Sequence, residues 1–225
     1  MDKLAKLRNL ETDASAVYGN IQWNLGGVVG IAAIILNPSL LFISNIPSMI
    51  SVSGLTLNGN QCLGTALAQQ ERRDRATELV NAAKRSLICE ALELAVDFLV
   101  RASRISSSGT DPYEDDDYFS SDIKELWNSK ANRAGWLIEA ADRDFFEMCA
   151  APLRNCIRHN NGRLTPQKSI VYSGQPRGRS IKLSLQWRKD GENHIELTLS
   201  EAHDIFTAIR AIVDTGLKRA VAEVK

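Results

Sequence analysis

Residues Ala66 to Arg104 read ALAQQERRDRATELVNAAKRSLICEALELAVDFLVRASR, and this stretch decides the fold class. Leu79, Val80, Ala83, Leu87, Ala91, Leu94, Ala95 and Phe98 recur at steps of three and four, which puts them on one face of a helix. Glu71-Arg72-Arg73-Asp74-Arg75 gives that helix a solvated start, and Ser106-Ser107-Ser108-Gly109 stops it. A second helical zone is expected from about Ser121 to Cys149, with Ile123, Leu126, Trp127, Leu137, Ile138, Phe145 and Phe146 as core candidates and a break near Gly135. Pro152 then kinks the chain or opens a short new helix at its first turn. That helix should end at His159-Asn160-Asn161-Gly162, because Asn and Gly tolerate the left-handed cap.

The chain then changes period. Ile181, Leu183, Leu185 and Trp187 alternate with Lys182, Ser184, Gln186 and Arg188, and Ile195, Leu197 and Leu199 alternate with Glu196 and Thr198. With Lys189-Asp190-Gly191-Glu192 between them, these runs predict a β-hairpin over 181–199. Ser200 can cap a last helix over 200–222, with Ile205, Ile209, Ile212, Val213 and Leu217 as its apolar stripe. Residues Ser51 to Leu57 offer a further strand. The expected architecture is mainly α with a small antiparallel sheet near the C-terminus, organised as an N-terminal segment 1–65 and a helical domain 66–225.

The 225 residues are 44% apolar and 24% charged, an ordinary globular mix that excludes a disordered chain, a collagen and a disulfide miniprotein. Cys62, Cys89, Cys149 and Cys156 form no CxxC pair, so buried free thiols in a reducing compartment fit better than a zinc site or a disulfide framework. The charged start Met1-Asp2-Lys3-Leu4-Ala5-Lys6 makes a poor secretory signal, and a cytoplasmic location is expected. Twenty-seven basic and 27 acidic residues cancel, so the information lies in local charge.

Three stretches carry it. From Ala14 to Gln70 no charged residue occurs over 57 positions. Within it Val28 to Ile43 is apolar, but Asn37-Pro38-Ser39 interrupts it, and the run before the interruption is far short of the ~20 residues a helical span needs. A layer buried in the core or in a dimer is therefore preferred over membrane contact through residues 24–57, which would take the form of a re-entrant hairpin. From Gly109 to Leu126 seven carboxylates face one lysine, which reads as a solvated loop, with a metal-binding acidic cluster as the alternative. From Met148 to Lys189 there are nine bases in 42 residues and no acid, the footprint of a phosphate-bearing partner unless those bases pair with the acidic loop.

His194 and His203 read as surface histidines. His159 lies inside the basic stretch, in Leu153-Arg154-Asn155-Cys156-Ile157-Arg158-His159-Asn160-Asn161-Gly162. Arg154 and His159 are five apart, about 140° around a helix after one turn, so they converge only if His159 is frayed or if two copies meet across a two-fold axis. Asn155 and His159 share a face, as do Arg154 and Arg158. A guanidinium grips a phosphate through a planar fork of donors. An imidazole exchanges a proton near neutral pH. Together they suffice to cleave RNA without a metal: the base takes the proton of a ribose 2′-hydroxyl, and the arginine stabilises charge gathering on the phosphoryl oxygens. A carboxylate among Asp142, Asp144 and Glu147 could orient His159 or hold Arg154, although surface salt bridges explain them as well.

The run Arg154-Asn155-Cys156-Ile157-Arg158-His159 resembles the Arg–polar–x–x–x–His signature of the HEPN superfamily, and Asn160-Asn161-Gly162 continues it. The resemblance implies a helical bundle that pairs as a homodimer and brings two motifs into one cleft. It implies a metal-independent endoribonuclease of toxin or antiviral-defence type, with Arg154 and His159 catalytic, Asn155 supporting them, no cofactor, and an antitoxin or defence-system partner as a possibility. It equally admits a non-catalytic member that only binds nucleic acid or protein. Arg158, Arg163, Lys168, Arg177, Arg179 and Lys182 are the candidate RNA-binding bases. The uncharged N-terminal segment and the hairpin are additions to a minimal bundle.

Overall fold

The computed structural model describes residues 2–36, 51–52, 55–56, 69–111, 135–166, 169–189, 191 and 193–224. It is mainly helical with a small antiparallel sheet. Helix α1 spans Lys3–Leu36, and α2 spans Gln69–Ser108. Two short strands, β1 at Ser51–Val52 and β2 at Leu55–Thr56, pair antiparallel between them in sequence. A 3-10 turn at Gly135–Leu137 leads to α3 at Ala140–Phe145. A π turn over Phe146–Ala150 carries α3 into α4 at Ala151–Asn160. Strands β3 (Ile170–Gly174) and β4 (Ile181–Leu185) form the sheet, and α5 at Leu199–Val224 closes the chain.

The core lies between α1, α2 and α5. α1 buries Leu7, Leu10, Ala14, Tyr18 and Ile21, again at steps of three and four, against the α2 stripe and against Ile205, Phe206, Ile209, Ile212 and Val213 of α5. Tyr18 is the hinge of this packing. Its ring meets Phe206 edge-on at 5.9 Å and Phe98 at 6.3 Å, and its hydroxyl donates to the Ala91 carbonyl at 2.9 Å. Burial pushes the phenol well above its ordinary pKa, so it stays a neutral donor. The last described residue of α1, Leu36, precedes Asn37-Pro38, where a helix was expected to break. Among the described residues no helix is long and apolar enough to cross a membrane.

Several expectations shift. The long helix continues past Arg104 to Ser108, and residues 66–68 lie outside the described residues. Residues 112–134 lie outside the described residues, and with them most of the acidic loop and the first half of the expected second helical zone. Asp111 is described, and it binds Arg101 at 2.8 and 3.0 Å. Cys89, Cys149 and Cys156 are buried free thiols, while Cys62 lies outside the described residues.

The hairpin expected over 181–199 is corrected. β4 pairs with β3, in the register Ile170↔Leu185 to Gly174↔Ile181, and not with residues 195–199. Of the expected turn 189–192, Asp190 and Glu192 lie outside the described residues; beside it the Asn193 side chain accepts from the Arg188 N–H at 2.6 Å and donates to the Arg188 and Gly191 carbonyls. The chain leaving that turn bonds elsewhere. The Ile195 N–H donates to the Gly162 carbonyl, the Leu164 N–H to the Asn193 carbonyl, and the buried Lys84 ammonium to the Leu197 carbonyl. Ile195 and Leu197 are buried as their alternation predicts, but their backbone bonds run to Gly162 and Lys84 instead of β4. The last helix is capped by Thr198 instead of Ser200: Thr198 and Glu201 exchange hydrogen bonds of 2.7, 2.9 and 3.1 Å in a capping box.

Tyr18→Phe should cost about 0.5–1.5 kcal/mol, the net worth of one hydrogen bond. Tyr18→Ala should cost about 3–5 kcal/mol, since it also empties an aromatic-sized volume. Urea unfolding of the two variants beside wild type measures both, and equal losses would show that the hydroxyl, not the ring, dominates.

Candidate functional site

α4 carries the motif. Leu153 and Cys156 point into the core, and Pro152 lies just past the π turn that carries α3 into α4. The helix ends as the sequence predicts. Asn161 takes the left-handed conformation at φ 50°, Gly162 follows at φ 74°, and the N–H groups of both donate to the Cys156 carbonyl. The Cys156 thiol donates to the Arg163 carbonyl at 2.9 Å, tying the turn to its own helix.

Arg154 faces α2. Its Nε and Nη2 donate to Glu93 Oε1 at 3.2 Å each, and its Nη1 donates to Asn155 Oδ1 at 3.1 Å. Arg158, one turn on, donates through Nε and Nη2 to the two oxygens of the same Glu93 at 3.0 and 2.9 Å. Glu93 thus holds two guanidiniums, and the cluster keeps a net charge of +1. The hydrogen bonds and charge of Glu93 hold Arg158 still more firmly protonated than usual. Burial pushes the Cys89 thiol up, against the opposing pull of Arg158. The Arg154 side chain is 14% exposed and that of Arg158 51%. Three of the five Arg154 donors are engaged, so two remain for a ligand.

His159 is exposed on the last turn of α4, and among the described residues it makes no hydrogen bond or ion pair. It lies inside the helix, so fraying does not swing it toward Arg154 of the same chain. The structure therefore brings Arg154, Asn155 and Arg158 together around Glu93 and leaves His159 on the adjoining face.

The remaining candidates divide. Arg163 is exposed and donates through Nε to His194 Nε2 at 3.1 Å, so His194 is half-buried in a contact rather than loose on a turn. Arg179 and Lys182 are exposed on and beside the β3–β4 hairpin. Lys168 lies outside the described residues. Arg177 is a correction: it turns inward at φ 48° and pairs with Asp142 and with Glu139 at 3.2 Å. Its side chain is 18% exposed, so it is structural and not a free RNA-binding base. Arg219 joins the network through Glu139 Oε1 and the Trp136 carbonyl.

Of the two readings of Asp142, the ion pair is the one found: it holds Arg177. The carboxylate that holds Arg154 is Glu93, which the sequence reading did not single out. Nothing local marks Glu93, because its partners lie 61 and 65 positions away. Among the described residues no group of three or more His, Cys, Asp or Glu is placed to hold a metal ion.

Gly162→Ala should cost about 1–2 kcal/mol, since a Cβ strains the left-handed backbone and would meet Arg85 Cδ at 3.2 Å. Arg177→Ala should cost about 3–5 kcal/mol near neutral pH, because it strands the buried Asp142 carboxylate. Burial raises the Asp142 pKa, so the native state binds that proton more tightly than the unfolded chain does. The penalty of Arg177→Ala should therefore shrink as pH falls toward about 4, where the carboxyl is neutralised at the lower end of the window. Chemical denaturation at two pH values checks this, and a penalty that grew on acidification would contradict it. Compared with protein-family models, curated proteins and solved structures, the chain matches none.

Proposed function

We propose that the chain is a metal-independent endoribonuclease of the HEPN type, acting as a homodimer. The observation that supports this most is the state of His159. It is an exposed imidazole without a partner among the described residues, on the last turn of a helix whose preceding turns hold a partly satisfied pair of guanidiniums. Arg154 and His159 lie about 140° apart around α4, so a complete site needs a second copy that sets its own α4 across a two-fold axis. This is the second of the two routes to convergence that the five-residue spacing allows.

In this reading His159 takes the proton of a ribose 2′-hydroxyl, and the freed oxygen attacks the adjacent phosphorus. The bond from phosphorus to the 5′-oxygen breaks, and that oxygen leaves with a proton donated by an imidazolium or by water. The products are a 2′,3′-cyclic phosphate and a 5′-hydroxyl. The two unengaged Arg154 donors stabilise the phosphoryl oxygens, and Asn155, bound to Arg154, keeps the guanidinium plane fixed. Glu93 holds that guanidinium before substrate arrives, so little ordering remains to be done on binding. Arg158, Arg163, Arg179 and Lys182 serve the flanking backbone.

A second reading has its own support. Arg154 is largely covered and bonded to Glu93, which suits an arginine that braces α4 while the basic surface only binds. Incubating a mixed RNA pool in EDTA with wild type and His159→Ala separates the two. Cleavage by wild type alone, leaving 2′,3′-cyclic ends, is the expected result. Cleavage by both would remove His159 from the mechanism. Binding without cleavage by either would favour the second reading.

A further inference from the structure

We propose that Arg85 of α2 is an additional phosphate-binding residue at this site, one that takes a phosphate beside the Asn160–Arg163 turn. The inference rests on the reading that the chain binds RNA and deepens it.

Arg85, Cys89 and Glu93 are spaced at i, i+4 and i+8, so they form one stripe along α2. That stripe faces α4. Glu93 meets Arg154 and Arg158, and Cys89 lies within reach of the charge of Arg158. Arg85 meets the far end of the helix: a Cβ built on Gly162 would stand 3.2 Å from Arg85 Cδ and 3.7 Å from Nη1. The side chain thus crosses the cap of α4. Gly162 closes the cap that follows Arg158 and His159 in the chain, so this guanidinium stands at the C-terminal end of the helix that carries the motif.

The charges around it are uneven. Arg154 and Arg158 share the Glu93 carboxylate, and Arg163 is engaged with His194. Glu90 acts on the charge of Arg158. Arg85 has neither a hydrogen bond nor an ion pair among the described residues, although it is half-buried. Its aliphatic stem packs across Gly162 while its five donors stay unclaimed. A guanidinium held in place by its stem, without a partner among the described residues and with the Lys84 charge acting on it, is arranged for a bidentate phosphate oxygen pair. The left-handed glycine matters here for a second reason, since a Cβ at 162 would make the Arg85 stem give way by a few tenths of an ångström.

The test measures binding apart from cleavage. Every variant is built on His159→Ala, and two probes are titrated: a short fluorescent single-stranded RNA, and inorganic tripolyphosphate. Arg85→Gln and Arg85→Met, the latter keeping an apolar stem over Gly162, should each bind RNA roughly ten- to hundred-fold more weakly, as for a lost charge-assisted hydrogen bond. The slope of log K against log salt should flatten by about 0.7, the share of one phosphate contact on a single strand. Melting temperatures should stay at the parent value, because no native partner is lost. Arg104→Gln removes the same charge about 28 Å along the same helix and should bind like the parent. Loss of tripolyphosphate binding in the Arg85 variants, in a chain that ignores RNA, would sustain the phosphate site and sink the ribonuclease reading. Unchanged affinity for both probes in the Arg85 variants, or no binding of either probe by the parent, would overturn the proposal.

Discussion

One carboxylate governs the arrangement of the site. Glu93 receives four N–H donors, two from Arg154 and two from Arg158, and so locks the last two turns of α4 onto α2. Two cations cannot be brought this close without an anion between them, since like charges at short range in a partly dehydrated setting repel by several kcal/mol. With Glu93 present, α4 keeps both guanidiniums and an excess of positive charge. Everything downstream inherits that position, including the Asn161–Gly162 cap, the Ile195 N–H bond to the Gly162 carbonyl and the Lys84 contact to Leu197.

α2 is therefore a two-sided element. One side buries Ala91, Ala95, Phe98 and Ala102 in the core shared with α1 and α5, and the other presents Arg85, Cys89 and Glu93 to α4. The apolar side makes the platform rigid, with Tyr18 satisfying its hydroxyl on the Ala91 carbonyl in the middle of the packing. The polar side sets charges at fixed heights along that platform. A separate ion-pair network, Arg177 and Arg219 with Glu139 and Asp142, ties the β3–β4 connection to α3 and to the end of α5. Two of the basic-stretch arginines thus face the motif and one is turned away from it, although all three stand in the same acid-free run.

That division explains how the charge reading and the structure differ. The nine bases from Met148 to Lys189 are a real local excess, and Arg163, Arg179 and Lys182 are exposed. A count along the chain, however, treats Arg177 and Arg158 alike. Their fates depend on which carboxylates fold against them, and those carboxylates lie at 93, 139 and 142. The hairpin shows the same limit. Alternation made Ile195 and Leu197 buried and Glu196 exposed, which holds. It carried no information on which backbone would supply the hydrogen bonds, and Gly162 supplied them in place of β4.

The sequence by itself determined the local features. The stripes of α2 and α5, the cap at Asn161-Gly162, the mainly helical class with a small sheet and the burial of the cysteines at 89, 149 and 156 follow from periodicity, turn chemistry and apolar content. Each is set by residues within about two turns of one another, where spacing is geometry. Tertiary structure alone decided which face of α1 meets α2 and α5, that β3 is the partner of β4, that Glu93 binds Arg154 and that Arg85 crosses the end of α4. These are contacts between positions tens of residues apart. Their selection depends on how the buried faces of three helices fit together, a constraint that no local window of the chain contains.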